Sequence, residues 1–117
     1  MSSLLIVDDH AGFRSWAREV LEHEGFTVVG EAEDGAGAEA AVRELRPDVV
    51  LLDVRLPDMS GYDVARRVGH LAAVVLISSL GAADVGTLPT STGARGFLPK
   101  SDLSGPALQR LLDEAAR

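Results

Sequence analysis

Pro47-Asp48-Val49-Val50-Leu51-Leu52-Asp53 decides how this chain is read. Four apolar residues stand in a row, two of them β-branched, behind a proline that breaks whatever precedes it. Such a run is a strand buried on both faces. It ends on a bare carboxylate, followed by Val54-Arg55-Leu56-Pro57 and the turn-rich Asp58-Met59-Ser60-Gly61. A parallel strand that finishes on a polar residue delivers it to the C-terminal edge of its sheet, where open α/β folds keep their sites. Three further runs share this design. Leu4-Leu5-Ile6-Val7 ends on Asp8-Asp9, Ala73-Val74-Val75-Leu76-Ile77 on Ser78-Ser79, and Gly96-Phe97-Leu98-Pro99 on Lys100.

Between these runs the apolar period changes from strand to helix, which predicts a parallel sheet with right-handed crossovers. Residues 11–24 place Phe13, Ala17, Val20 and Leu21 at helical spacing, and Gly25 stops that helix. Residues 26–30 form a short second strand centred on Thr27-Val28-Val29. Asp34 is suited to cap a helix running to about Leu45, with Ala38, Ala41, Val42 and Leu45 facing inward and Pro47 closing it. A third helix from Ser60 can reach only about Val68 before Gly69, so it is short. The next crossover, residues 81–93, contains Gly86, Pro89 and a Ser/Thr run, and is expected to keep at most a turn or two of broken helix over 82–88. The last helix starts at Ser104, carries Pro106 in its first turn, and turns Leu108, Leu111, Leu112 and Ala115 to one side. Residues 1–117 are expected to form one doubly wound, three-layer α/β domain.

The composition narrows the function classes. Eleven basic against 18 acidic residues give a net charge of −7, which argues against direct contact with nucleic acid or an anionic membrane. No cysteine is present, so thiolate and disulfide chemistry play no part. The apolar runs are strand-length, too short to span a membrane, and Met1-Ser2-Ser3 leads straight into the first strand. A cytoplasmic location is expected.

Three carboxylates gathered at one sheet edge repel one another and call for a counter-charge. Oxygen ligands suit a hard cation: two Asp side chains, a backbone carbonyl from the loop after Asp53 and waters make an octahedral Mg2+ site. Lys100 brings a fixed positive charge and Ser78 a hydroxyl donor. Together they describe a pocket for a phosphoryl group, in which Asp53 can attack phosphorus.

The set Leu4-Leu5-Ile6-Val7-Asp8-Asp9-His10, Val50-Leu51-Leu52-Asp53-Val54-Arg55-Leu56-Pro57, Ile77-Ser78-Ser79 and Gly96-Phe97-Leu98-Pro99-Lys100 resembles the receiver domain of two-component response regulators, in the same order along nearly the whole chain. Asp-Asp-His and Gly-Phe-Leu-Pro-Lys-Ser are closest to receivers that precede helix-turn-helix output domains. The resemblance implies a five-stranded sheet of order 2-1-3-4-5. It also implies that Asp53 accepts a phosphoryl group from a phosphohistidine of a sensor histidine kinase or phosphotransfer protein. By the same resemblance Asp9 ligates Mg2+ directly, Asp8 largely through water, and Arg55 through its backbone carbonyl. Ser78 and Lys100 bind phosphoryl oxygens, Phe97 follows Ser78 as a switch, and Pro57 and Gly61 shape the loop. The domain is then a signalling switch, not an enzyme beyond its own phosphorylation and dephosphorylation, and a second copy of the chain is a further candidate partner.

Plainer readings stand beside these. Asp8-Asp9 can cap the first helix, Asp53 can anchor a loop, and Phe97 can simply pack in the core. His10 reads as an exposed residue at a helix start, and the Arg55 side chain, near the pocket mouth, as a tuner of dephosphorylation. The short third helix and broken fourth crossover also suit a receiver-like interaction module that works without phosphorylation. A phosphohydrolase of the Asp-x-Asp kind is disfavoured, because Arg55 stands where its general acid belongs.

Overall fold

The computed structural model describes residues 2–79 and 93–115. Strands β1 (Ser3–Val7), β2 (Thr27–Ala32), β3 (Val49–Asp53), β4 (Ala73–Ser78) and β5 (Gly96–Pro99) form one parallel sheet in the order β2-β1-β3-β4-β5. Helices α1 (Ala11–His23), α2 (Gly35–Leu45), α3 (Gly61–Val68) and α4 (Gly105–Ala115) cover it, and a 3-10 turn (Lys100–Asp102) follows β5.

The continuous apolar runs explain the three layers, because successive side chains along a strand alternate between faces. Leu5, Val7, Val50, Leu52, Val74 and Leu76 pack with Ala38 and Val42 of α2 and Val64, Ala65 and Val68 of α3. Leu4, Ile6, Val49, Leu51, Val75 and Ile77 pack with Ala17 and Leu21 of α1 and Leu108 of α4. Register carries this alternation to the polar ends of the strands. Leu4 to Val7 pair with Val49 to Leu52, and Asp53 pairs with Ile77. At the far end Ser3 and Asp48 lock the two central strands: the Ser3 N–H donates to Asp48 Oδ2 (2.9 Å) and the Asp48 N–H to Ser3 Oγ (2.9 Å).

The helix ends follow local chemistry. Asp34 Oδ1 accepts from the Gly37 N–H at 2.7 Å, Ser60 Oγ from Tyr62 N–H at 3.0 Å, and Ser104 Oγ from Ala107 N–H at 3.1 Å. Gly25 adopts φ 102°, the left-handed geometry that ends a helix. The short α3 matches the expectation from Gly69.

Some boundaries differ. The second strand runs Thr27–Ala32, not 26–30, because Glu31 and Ala32 continue the pairing with Ile6 and Val7. β3 begins at Val49, as Pro47 lacks the N–H a ladder needs. The first helix ends at His23. Leu45 is 42% exposed and does not face the core with Ala38 and Val42. It lies over Gly30 of the edge strand, where the sheet runs out. The broken helix expected over 82–88 and the inward placement of Ala115 fall outside the described residues.

Candidate functional site

Parallel strands all finish at one edge, so the polar residues that end β1, β3, β4 and β5 meet there. Asp8 is fully buried, Asp53 is 5% exposed and Ser78 2% exposed. Ser78 follows Ile77, the register partner of Asp53, on the adjacent strand. Lys100 opens the 3-10 turn after β5 and reaches inward across the Phe13 ring, with Nζ 4.5 Å from the ring centre. Its ammonium lies 2.5 Å from Asp8 Oδ2 and 3.2 Å from Asp53 Oδ2. The other Asp53 oxygen, Oδ1, accepts the Arg55 N–H at 3.0 Å.

Burial pushes the Asp53 carboxyl above its ordinary range, with the Asp8 charge adding to the rise. The Arg55 N–H and the Lys100 charge oppose this without cancelling it. Burial works the other way on Lys100 and would lower it. Its close ion pair with Asp8 and the charge of Asp53 outweigh that, and hold the ammonium above its ordinary value. Lys100 is therefore a fixed cation among acids that would otherwise repel.

The carboxylates of Asp8, Asp9 and Asp53, with the His10 imidazole, offer ligand atoms within 4.8 Å of one another. Asp8 Oδ2 is buried and, although beside the ammonium, has no hydrogen bond of good geometry among the described residues. A compact set of hard oxygen donors with spare lone pairs fits a small divalent cation such as Mg2+. Arg55 and Ser60 form an isolated antiparallel bridge, which folds the loop after β3 back on itself, and the Arg55 side chain is exposed. Gly61 closes that loop: its N–H donates to Val54 O at 2.9 Å, and a Cβ there would stand 2.2 Å from Asp53 O.

All the strand-end residues singled out from the sequence thus occupy one edge. Phe97 is half-buried beside Leu76 on the α2/α3 side of the sheet, so its packing role is real. Helix capping does not account for Asp8-Asp9: the N-cap of α1 is His10, with no side-chain cap bond, and Asp8 Oδ1 accepts the His10 N–H at 2.8 Å. His10 is exposed at the start of α1, as its sequence position suggests, and it also touches the acid pair. Its Nδ1 lies 3.1 Å from Asp8 Oδ1 and 3.0 Å from Asp9 Oδ1. Arg14 gave no signal in the sequence, yet its Nη1 donates to the Asp8 carbonyl at 2.6 Å and its Nε to Glu31 at 3.0 Å. No local pattern marks it, because both partners lie outside its own helix.

A 2-1-3-4-5 parallel sheet with acids and a lysine converging at its C-terminal edge defines a flavodoxin-like receiver fold. The chain belongs to the response regulator receiver domain family, whose model matches residues 4–111. It is therefore a receiver domain of two-component signalling. It is 33% identical over 100 residues to the chemotaxis protein CheY of Bacillus subtilis, covering 83% of each chain. It is 32% identical to the transcriptional regulatory protein YdfI of the same organism, covering 100% of this chain and 56% of that one. The chain thus spans about half the length of the transcriptional regulators it matches, 51% for one from Pseudomonas aeruginosa. Among solved structures, the signal receiver domain of NarL from Mycobacterium tuberculosis superposes with a TM-score of 0.85 at 35% identity, covering 98% of this chain and 96% of that one.

Proposed function

We propose that Asp53 is the phosphoacceptor of this receiver, taking a phosphoryl group from the phosphohistidine of a sensor histidine kinase or phosphotransfer protein. A P–O bond to an Asp53 carboxylate oxygen forms as the P–N bond breaks, and the electron pair returns to the imidazole nitrogen. The observation that carries this reading is the buried Asp53 carboxylate, held between the Lys100 ammonium and the Asp8-Asp9 pair. Such a transfer asks the protein mainly to position groups and to stabilise charge.

Asp8, Asp9, Asp53 and the Arg55 carbonyl would hold Mg2+, which when bound neutralises charge on the phosphoryl oxygens. Lys100 supplies the second positive charge from the other side. Ser78, on the neighbouring strand end, donates its hydroxyl to a phosphoryl oxygen, and Phe97 on β5 carries the change toward the output surface. The domain works once per signal and has no separate substrate, so it is a switch and not an enzyme. Its proposed setting is cytoplasmic, its partners are the kinase or phosphotransfer protein and a second copy of itself, and residues 1–117 act as one domain. No described helix is long and apolar enough to cross a membrane.

The test is incubation with acetyl phosphate and Mg2+, read by intact mass, and with beryllofluoride, read by amide spectra. Wild type should gain one phosphoryl group, and Asp53→Asn should gain none. A wild type that stays unmodified, or a variant that is modified equally, overturns the assignment.

A further inference from the structure

The loop between β3 and α3 is held from a direction the strand pattern does not reveal. Asp58, at its apex, reaches across to the start of α2. Its Oδ1 accepts the Gly35 N–H at 2.7 Å and its Oδ2 the Ala36 N–H at 3.0 Å. These are two of the first N–H groups of the helix, which have no partner within it. Asp34 takes a third, that of Gly37. The Gly35 N–H bond, first among several backbone bonds, holds the Asp58 carboxyl below its ordinary range. Next in the loop, Met59 packs so closely on Gly35 that its Cγ and Sδ lie 2.4 and 2.7 Å from where a Cβ would stand.

The loop is thus fixed at three points. Asp53 Oδ1 and the Arg55 N–H tie its start, the Arg55–Ser60 bridge and crowded Gly61 tie its end, and Asp58 with Met59 ties its apex to α2. Residue 55 takes part in two of these ties, and its carbonyl completes the proposed cation shell.

We infer that Asp58 is a positioning residue for the site: by clipping the loop onto the N-terminus of α2, it holds the Arg55 carbonyl and Asp53 in the geometry that a divalent cation needs. This rests on the proposed phosphoacceptor reading. Residues that orient metal ligands without touching the metal typically change affinity by about 10- to 100-fold when removed. Asp34 provides the control, since it caps the same helix but stands outside the loop.

The experiment compares wild type, Asp58→Ala, Asp58→Asn and Asp34→Ala well below their unfolding temperatures. Mg2+ affinity is measured by titration, and phosphorylation by acetyl phosphate is followed against Mg2+ concentration. Asp58→Ala should weaken Mg2+ by about 10-fold, with a phosphorylation rate that recovers at saturating Mg2+. Asp58→Asn keeps one acceptor and should fall between it and wild type, and it decides the matter should Asp58→Ala not fold. Asp34→Ala should lower stability yet bind Mg2+ as wild type does. Wild-type Mg2+ affinity in both Asp58 variants overturns the inference, as does an equal loss in Asp34→Ala, which would mean that only helix stability matters. Failure of the phosphoacceptor reading is distinguishable, because it shows in the wild-type chain alone.

Discussion

Replacing Lys100 by Met takes away the ammonium that touches two buried carboxylates, at 2.5 Å from Asp8 and 3.2 Å from Asp53. Lys100 is 14% exposed and its partners 0% and 7%, so little water can take its place. Removing one partner of a buried pair destabilises by about 3–5 kcal/mol, because an uncompensated charge stays behind. Asp9 and His10 are 38% and 71% exposed and keep one side of the cluster wet, which favours the low end of that range. In EDTA at pH 7.5, Lys100→Met should therefore lose about 3 kcal/mol in urea titrations. For a domain of this size the midpoint should fall by roughly 10 °C. The lost contact with the Phe13 ring contributes about 0.5–1 kcal/mol more. A divalent cation supplies the missing charge, so the variant should gain more from Mg2+ than wild type does, and the gap should narrow. Adding Asp53→Asn should recover part of the loss, giving a coupling energy from the double-mutant cycle. A Lys100→Met chain within about 0.5 kcal/mol of wild type in EDTA, the usual range for surface changes, would refute the account of a buried charge cluster. So would a gap that Mg2+ widens.

The raised pKa of Asp53 has a definite sign. The folded state keeps that proton to higher pH than the unfolded chain does, so metal-free stability should fall as pH rises from the ordinary carboxylate range through the raised value. Asp53→Asn should remove this component and be more stable than wild type at neutral pH without metal. A flat difference between the two chains across pH 3–8, read by chemical denaturation, would contradict the shift. Gly61→Ala should push against Asp53 O, destabilising by about 1–3 kcal/mol and slowing phosphorylation at Asp53 by displacing its backbone. Thermal melts and intact mass check both effects. Leu52→Ala, in the fully buried β3 core, should cost about 2–5 kcal/mol, whereas Leu45→Ala at the exposed sheet edge should cost less than about 1 kcal/mol. Equal losses in melts would restore Leu45 to the core.

Asp53, Asp8, Asp9, Ser78 and Lys100 were legible in the sequence because an apolar run that stops on a polar residue is a local signal. Parallel pairing then carries every such residue to the same edge. The layers were legible for the same reason, since unbroken Val/Ile/Leu runs must be covered on both sides. Caps at Asp34 and Ser104 could be read because a capping side chain bonds a backbone group within three residues of itself.

What the tertiary structure alone decided is contact between segments distant in sequence. Nothing near Asp58 indicates that it caps a helix 22 or more residues earlier, and nothing near Arg14 points to the Asp8 carbonyl or to Glu31. Leu45 fits the inward stripe of its helix, but where the sheet ends depends on strand order, and no helical period records that order. Periodicity reports which way a residue faces relative to its own element. What it then meets depends on how the elements are stacked.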